Sequence, residues 1–525
     1  MNPTFTTVPF FQSNYFRKTL LVFLLLAPLL YPFLLKPSQQ LYSDHLAKFI
    51  LGESIYRSGF TSGSLDLPSA KLDPESEFCP TECIRIREKI VSPFPVALGY
   101  FYAAILPWGG IEAVYIITAL IVAVTLLMLS ILWEWDLLFL FILVLGSPFV
   151  INGYFFPDVA IASFLFFSGA FFILKNSFRR FPYSYFLVGF ISASAAWFRV
   201  ESIVFIISFS LFLLLGLRQN KQTRIPAVFY VIGAACGLLL LLFVQMHMYG
   251  LPLGPRFSFN QPTMFLRPWD KLYIYRGLLF FSYGRPGFFT YMPLFLFFFV
   301  YSLYFIFSSK GVLRKQSPEN FDFSRNLLIQ SGAAAFLGSV LVAPNDGIID
   351  FGTRYLHLAI PSFVGFAILV LKESSGYRQK LIKSFVIVLA LYSTFVTVSY
   401  TQILAKYGKQ STGMHKLYVE QKPDLVVVQI RTYTQIMGKN FFVTPCVTLF
   451  DAAALNKFFS KNDPNQFAKI LFVQAKVLTD RNADPNRPFE HNTYYDSVNS
   501  ILGKTFTPVL VENKPDIIVF SMEKR

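Results

Sequence analysis

The sequence predicts a mostly α-helical, polytopic membrane protein that ends in a small α/β domain, and three observations predict it. Of 525 residues, 54% are hydrophobic and 18% aromatic, with 62 Phe, while only 14% are charged, against roughly 25% in an ordinary soluble chain. Mean hydropathy is +0.50, and apolar runs of membrane-spanning length recur as far as residue 401. From 403 onward those runs give way to short β-rich stretches. A chain so poor in charge cannot cover itself with polar surface, which excludes one large soluble globule, a disordered tail and a secreted disulfide scaffold.

A span needs about 20 mostly apolar residues, somewhat fewer where the helix ends are wet. The first run is 19–35, preceded by Arg17 and Lys18 and ending Leu34-Leu35-Lys36-Pro37 with no small-residue cleavage site. It reads as a retained signal anchor with residues 1–18 cytoplasmic. Further runs lie at 111–132, 137–152, 158–174, 183–198, 201–217, 226–248, 287–309, 326–343, 355–371 and 381–401, about eleven spans in all. The stretch 94–106 is too short to cross and is bounded by Pro93, Pro95 and Pro107, as suits a re-entrant or interfacial helix.

Charge decides the orientation. If 94–106 does not cross, the basic loops 175–180 (Lys175, Arg179, Arg180), 218–224 (Arg218, Lys221, Arg224), 310–325 (Lys310, Arg314, Lys315, Arg325) and 372–383 (Lys372, Arg378, Lys380, Lys383) share the side of Arg17 and Lys18. The positive-inside rule requires that arrangement. The net charge of +16 is then accounted for by orientation, and nucleic acid is not an expected partner. The transmembrane module is 19–402, with a long first outer loop at 36–110, and residues 403–525 form an extracytoplasmic domain. There Leu425–Val428, 441–443 and 470–473 read as strands alternating with more helical segments.

Ionisable groups at span edges are costly and are functional candidates, although Lys and Arg near helix ends often only snorkel. The predicted outer face gathers Asp44 with His45, Asp158, Arg199 with Glu201, Arg256, Arg276, Arg285, Asp346, Asp350 and Arg354. Arginines there suit an anionic headgroup, and a carboxylate beside them suits a base. Each has a plainer reading. Ser43 or Asp44 would cap a juxtamembrane helix, Asp158 would be a first-turn acid favoured by the helix dipole, and Arg199 with Glu201 would be a polar turn. Arg285 and Arg354 stand beside loop glycines and aromatic residues, in Ser282-Tyr283-Gly284-Arg285-Pro286-Gly287 and Gly352-Thr353-Arg354-Tyr355. Phosphate-binding glycine loops, His-Glu-x-x-His and Gly-x-Ser-x-Gly are absent, so an ATPase, a zincin and an α/β-hydrolase lack support. Of four cysteines, only Cys79 and Cys83 are close enough in sequence to pair as a local staple, given an oxidising compartment.

The order of motifs resembles that of the GT-C class of membrane glycosyltransferases. Tyr42-Ser43-Asp44 in the first outer loop, Pro93-Phe94-Pro95-Val96-Ala97-Leu98-Gly99-Tyr100, Phe156-Pro157-Asp158 and Phe198-Arg199-Val200-Glu201 carry the resemblance, continued by 284–293 and 351–356. It covers roughly residues 15–400 and is nearest to the bacterial dolichyl-phosphate-mannose-protein mannosyltransferase-like group, which includes the lipid A aminoarabinose transferases. The resemblance implies an inverting transfer of a sugar from a polyprenyl-phosphate donor to a glycan, lipid or protein acceptor at the outer face of a bacterial inner membrane. It also implies Asp44 as the base and Asp158 as the second-loop acid. Donor or substrate contacts are expected from Arg199, Glu201, Arg285, Arg354, Tyr355 and His45. His45 stands where some relatives carry a second acid; a divalent metal is not indicated by the residues, and metal use and acceptor type stay open. A polytopic lipid or glycan transporter or flippase is the alternative, against which stand the absence of an internal repeat and the placement of the charges at one face rather than the midplane.

Overall fold

The computed structural model describes residues 14–178, 180–216, 224–264, 268–282, 285–307, 320–345, 353–475, 491–514 and 517–525. The protein is mostly helical, with a small sheet region. Among the described residues seven helices are long and apolar enough to cross a membrane: Tyr15–Leu35, Val96–Leu132, Pro157–Leu174, Arg224–Tyr249, Ser324–Val342, Arg354–Lys372 and Gly376–Gln421. An eighth is made if Leu137–Val144 and Phe149–Phe155, bent by 48° at their junction, count as one span.

Three expected spans fall short of that standard. The run 183–198 forms Ser184–Ala193 and a 3-10 turn Ser194–Trp197, 201–217 forms Ser202–Gly216, and 287–309 contributes Pro293–Phe307. Fifteen helical residues extend about 22 Å, less than the roughly 30 Å of a hydrocarbon core. Residues 308–309 of the last run lie outside the described residues, as do Arg179, Arg218, Lys221, Lys310, Arg314, Lys315, Asp346 and Asp350. The stretch 94–106 does enter a helix, Val96–Leu132, but Gly109 and Gly110 interrupt it, the latter at φ +64.

Contacts divide the chain into two compact units, Met1–Leu34 with Val114–Ile403, and Leu35–Ala113 with Leu404–Arg525. The first outer loop therefore groups with the C-terminal residues rather than with the spans. The sequence division at 402/403 falls inside one continuous helix, Gly376–Gln421.

Within the first unit, Phe-rich helices pack ring against ring. Phe288, Phe295, Phe299, Phe336 and Phe363 form one cluster with centroids 5.1–6.2 Å apart, the geometry that aromatic quadrupoles favour. Helices Ser184–Ala193 and Arg224–Tyr249 approach until a Cβ on Gly189 would overlap the Tyr230 carbonyl oxygen and one on Gly233 the Phe186 carbonyl oxygen. Small residues permit such approaches between spans. Two ion pairs tie three segments together at the turn 133–136: Arg325 Nη2 lies 2.9 Å from Glu134, and Lys372 Nζ lies 3.0 Å from Asp136. Asp136 also caps Leu137–Val144 by accepting from the Phe139 amide.

In the second unit, besides the two-stranded hairpin Ile84–Ile86 and Lys89–Val91, the strands of the C-terminal sheet are β1 (Leu425–Val428), β2 (Cys446–Thr448), β3 (Lys469–Ala475), β4 (Phe506–Asn513) and β5 (Ile517–Lys524). Among the described residues they form a sheet in the order β2-β1-β3-β5-β4. The β1–β2 and β1–β3 pairs are parallel and the others antiparallel. The expected strand at 441–443 is instead a turn, because Gly438 at φ +49 and Pro445 bracket it, and the pairing strand begins at Cys446. Helices Ala452–Lys461 and His491–Leu502 supply Leu455, Phe458, Tyr494 and Val498 to a core with Leu425, Val427, Ile470, Phe472 and Phe520.

Part of the segment 36–110 is stitched into this core. Phe78 is buried there, edge-on to Phe458 at 5.6 Å, and its carbonyl accepts from the Thr448 amide at 2.9 Å. The Asp73 carboxylate accepts from the Glu77 and Phe78 amides at 3.0 and 2.7 Å and so shapes the turn that presents the ring. Asn462 donates to the Leu72 carbonyl, Thr434 donates to the Pro80 carbonyl, and Lys457 pairs with Glu77. Cys79 and Cys83, next to that anchor, are joined by a disulfide.

Candidate functional site

In the first unit the helix Pro157–Leu174 opens with Pro157 at its first position and Asp158 in its first turn. Proline there forfeits no hydrogen bond, and the helix dipole favours the acid beside it. Asp158 is 6% exposed and does more than complement the dipole: Arg199 Nη1 lies 2.8 Å from its Oδ2. The other arm of the same guanidinium, Nη2, lies 3.4 Å from Glu201 Oε1. Arg199 thus bridges two carboxylates from the turn between Ser194–Trp197 and Ser202–Gly216.

Arg354 and Tyr355 come from a 3-10 segment, Thr353–Ala359. The Tyr355 ring has Arg199 at 5.7 Å on its centroid and Arg354 at 5.3 Å, and Arg354 also lies 5.4 Å from the Phe156 ring. Both residues are buried, and the Tyr355 hydroxyl donates to Asn345 Oδ1 at 3.0 Å. Arg199, Glu201, Arg354, Tyr355, His357, Ser163, Ser202 and four apolar residues wall a small cavity of about 10 Å³. Arg256, in Gly254–Met264, adds its positive charge to those of Arg199 and Arg354 at Glu201. Residues 158, 199, 201, 354 and 355, distributed over almost 200 positions of sequence, are therefore brought together. Arg285 is not among the lining residues. It lies on a hairpin, Arg285–Pro286 against Phe281–Ser282, and its Nη1 is buried with no hydrogen-bond partner among the described residues. Arg276, in the last turn of Pro268–Leu279, is exposed.

Asp44 and His45 belong to the second unit, in the first turn of Ser43–Arg57. The capping reading fails for both Ser43 and Asp44: the N-cap is Tyr42, with no side-chain cap bond. Ser43 holds a left-handed φ of +47, a conformation that costs a non-glycine residue on the order of 1 kcal/mol and persists where surroundings impose it. Asp44 is 6% exposed and His45 1%, so neither is a solvated helix end. One turn on, Lys48 is equally buried, with Nζ 5.3 Å from the Phe94 ring centroid. Sequence reasoning passed over it, although spacing of four residues from Asp44 on a helix was the available signal.

Among the described residues no group of three or more His, Cys, Asp or Glu side chains is placed to hold a metal ion. Chemically, the first unit offers guanidinium donors and carboxylate acceptors in a partly dry cavity, and the second a desolvated acid one helical turn from an ammonium. No protein-family model and no curated protein matches the chain.

Proposed function

We propose that the protein is a GT-C-like inverting glycosyltransferase of a bacterial inner membrane, using a polyprenyl-phosphate sugar as donor and a glycan, lipid or protein as acceptor. The observation that carries the proposal is the gathering of Arg199, Glu201, Arg354 and Tyr355 about one cavity, with Asp158 ion-paired to Arg199. The grouping also supports the eleven-span topology, with short helices completing the count. Segments expected outside meet one another through Arg199, whereas segments expected inside meet through Glu134, Asp136, Arg325 and Lys372. Residues 403–525 would then be extracytoplasmic, and the Cys79–Cys83 disulfide in the first outer loop agrees with an oxidising side.

In this reading the acceptor hydroxyl oxygen attacks the anomeric carbon and its proton passes to the Asp44 carboxylate. The bond from that carbon to the phosphate oxygen breaks on the opposite face, and polyprenyl phosphate leaves with the electron pair. Cations stabilise the charge that develops on the leaving group, and a positioned carboxylate removes the proton. The phosphate ester is already activated, so no nucleotide is needed. The test is transfer by purified protein in nanodiscs, given hexose, pentose and amino-sugar polyprenyl phosphates with envelope extract as acceptor source. Transfer by wild type and its loss in Asp44→Asn and Asp158→Asn support the reading. Equal transfer by wild type and Asp44→Asn removes the base assignment. Movement of donor between leaflets without transfer of its sugar replaces the enzyme by a flippase.

A further inference from the structure

The segment Thr353–Ala359 is a 3-10 helix, in which three residues complete a turn and positions i and i+3 eclipse. Arg354 and His357 therefore rise from one face. Each is backed by an aromatic ring from the same stretch of chain: Arg354 by Phe156 at 5.4 Å, and His357 by Phe149, stacked at 4.5 Å with only 11° between the planes. His357 is 2% exposed, lines the cavity beside Arg199, Glu201 and Arg354, and has an Nδ1 that is buried with no hydrogen-bond partner among the described residues.

Buried side-chain nitrogens without partners are rare in folded proteins and cost stability, so each asks for an explanation. The stack on Phe149 holds the ring plane, so Nδ1 stays at an edge of the ring within that plane. A structural role is served by the ring alone; the nitrogen is surplus to it. The charge around the cavity is mixed, two carboxylates being shared by one guanidinium at Arg199. Such a surround offers both donors and acceptors to a neutral hydroxyl. The open space is about 10 Å³, room for about one water-sized group, which suits a single hydroxyl and not a whole ligand.

We infer that His357 is a specificity-determining residue whose Nδ1 hydrogen-bonds a hydroxyl group of a sugar ring. The sugar class rests on the glycosyltransferase reading, whereas the unpartnered nitrogen in the cavity does not. The hydroxyl belongs either to the donor sugar or to a glycan acceptor. A site that hydrogen-bonds a particular hydroxyl rejects the analogue lacking it.

The test uses full-length protein in nanodiscs and equilibrium binding of short-chain prenyl-phosphoryl hexose, pentose and amino sugar with their mono-deoxy series, prenyl phosphate alone, and free methyl glycosides with theirs. His357→Phe keeps the stacked ring and removes both nitrogens, and His357→Asn restores an amide near the position of Nδ1. Wild type should bind one parent sugar about fivefold more tightly than one of its deoxy analogues, as one hydrogen bond is worth. His357→Phe should lose that preference while binding prenyl phosphate unchanged, and His357→Asn should recover part of it. The preference falls in the prenyl-phosphoryl series if the hydroxyl is the donor's and in the glycoside series if it is the acceptor's. Unchanged preference in His357→Phe, or no hydroxyl-dependent binding by wild type, overturns the inference. Transfer with an unaltered His357→Phe preference leaves the enzyme reading intact; His357-dependent binding without transfer removes that reading and keeps the site.

Discussion

Arg199 bridges two acids, and its replacement tests whether the cluster is held together by charge. Its guanidinium is 7% exposed and lies 2.8 Å from Asp158, itself 9% exposed, and 3.4 Å from Glu201, which is 18% exposed. Breaking a buried pair by deleting one partner costs about 3–5 kcal/mol, because the other charge is left uncompensated. The longer, wetter contact to Glu201 adds no more than about 1 kcal/mol. Arg199→Met keeps most of the stem volume and should therefore destabilise the helical unit by about 4 kcal/mol. Asp158→Asn alone leaves Arg199 its second acid and should cost less. The decisive sign lies in the double variant: Asp158→Asn in the Arg199→Met background removes an orphaned charge and should restore stability, with a coupling of at least about 2 kcal/mol. Unfolding in SDS mixed micelles, followed by fluorescence of the buried Trp133 that stacks on Phe139 at 5.0 Å, reads all four proteins. A double variant no more stable than Arg199→Met, or effects that add within about 0.5 kcal/mol, would refute the account.

Phe78→Ala should cost the C-terminal sheet about 3–5 kcal/mol through lost burial and the cavity left against Phe458, seen as faster hydrogen exchange in β1 and β3 than in wild type; unchanged exchange there would deny the loop its anchoring role. Gly233→Leu should separate Ser184–Ala193 from Arg224–Tyr249, since the side chain has no room beside the Phe186 carbonyl, and a cysteine cross-link between the two helices should then form more slowly. In the sheet, Glu523 faces Lys469 across β3 and β5, and the 2.7 Å contact from that ammonium holds the carboxyl below its ordinary value. Because the folded pKa is the lower one, the stabilisation is complete above the unfolded value near 4.3 and fades as pH falls through the folded value. The pair is exposed, so the effect is below about 1 kcal/mol, and Lys469→Met should flatten the acid limb of β5 exchange.

The helical character and most spans were legible because 20-residue apolar runs have few other uses. What the sequence could not provide was length in space. Residues 183–198 and 201–217 carry enough apolar character to cross, yet the turn at 198–201 and the 3-10 segment at 194–197 shorten what is helical. Asp158, Arg199, Glu201 and Arg354 were visible as costly charges at span ends, but only packing could pair Arg199 with both acids. His357 was lost in an apolar stretch: a spacing of three from Arg354 shares a face in an α-helix as in a 3-10 helix, and only packing could place the ring at the cavity. Lys48 was hidden for the opposite reason, since lysines usually snorkel and this one is 1% exposed. Phe78 is one of 62 phenylalanines, with no local pattern to mark it as the residue that a distant sheet would bury.

The pairing at Arg199 also redistributes roles among the arginines in the proposed mechanism. Both terminal nitrogens of Arg199 already face carboxylates, so a phosphate bound there would have to displace an acid that is itself desolvated. Such an exchange trades one charge-assisted hydrogen bond for another and leaves Asp158 or Glu201 stranded, which makes Arg199 a poor phosphate ligand and a good positioning residue. Arg354 lies against Phe156 and Tyr355 and its charge also acts on Glu201, whereas Arg285 carries a buried Nη1 without a partner among the described residues. Arg285 is therefore the better candidate for the donor phosphate in the proposed mechanism. The consequence is a contrast in binding. Arg285→Gln should weaken binding of prenyl phosphate itself, whereas Arg199→Gln should leave that affinity within about twofold and lose stability instead. Equal loss of prenyl-phosphate binding in both would return Arg199 to the phosphate site and require its carboxylate partners to move when donor binds.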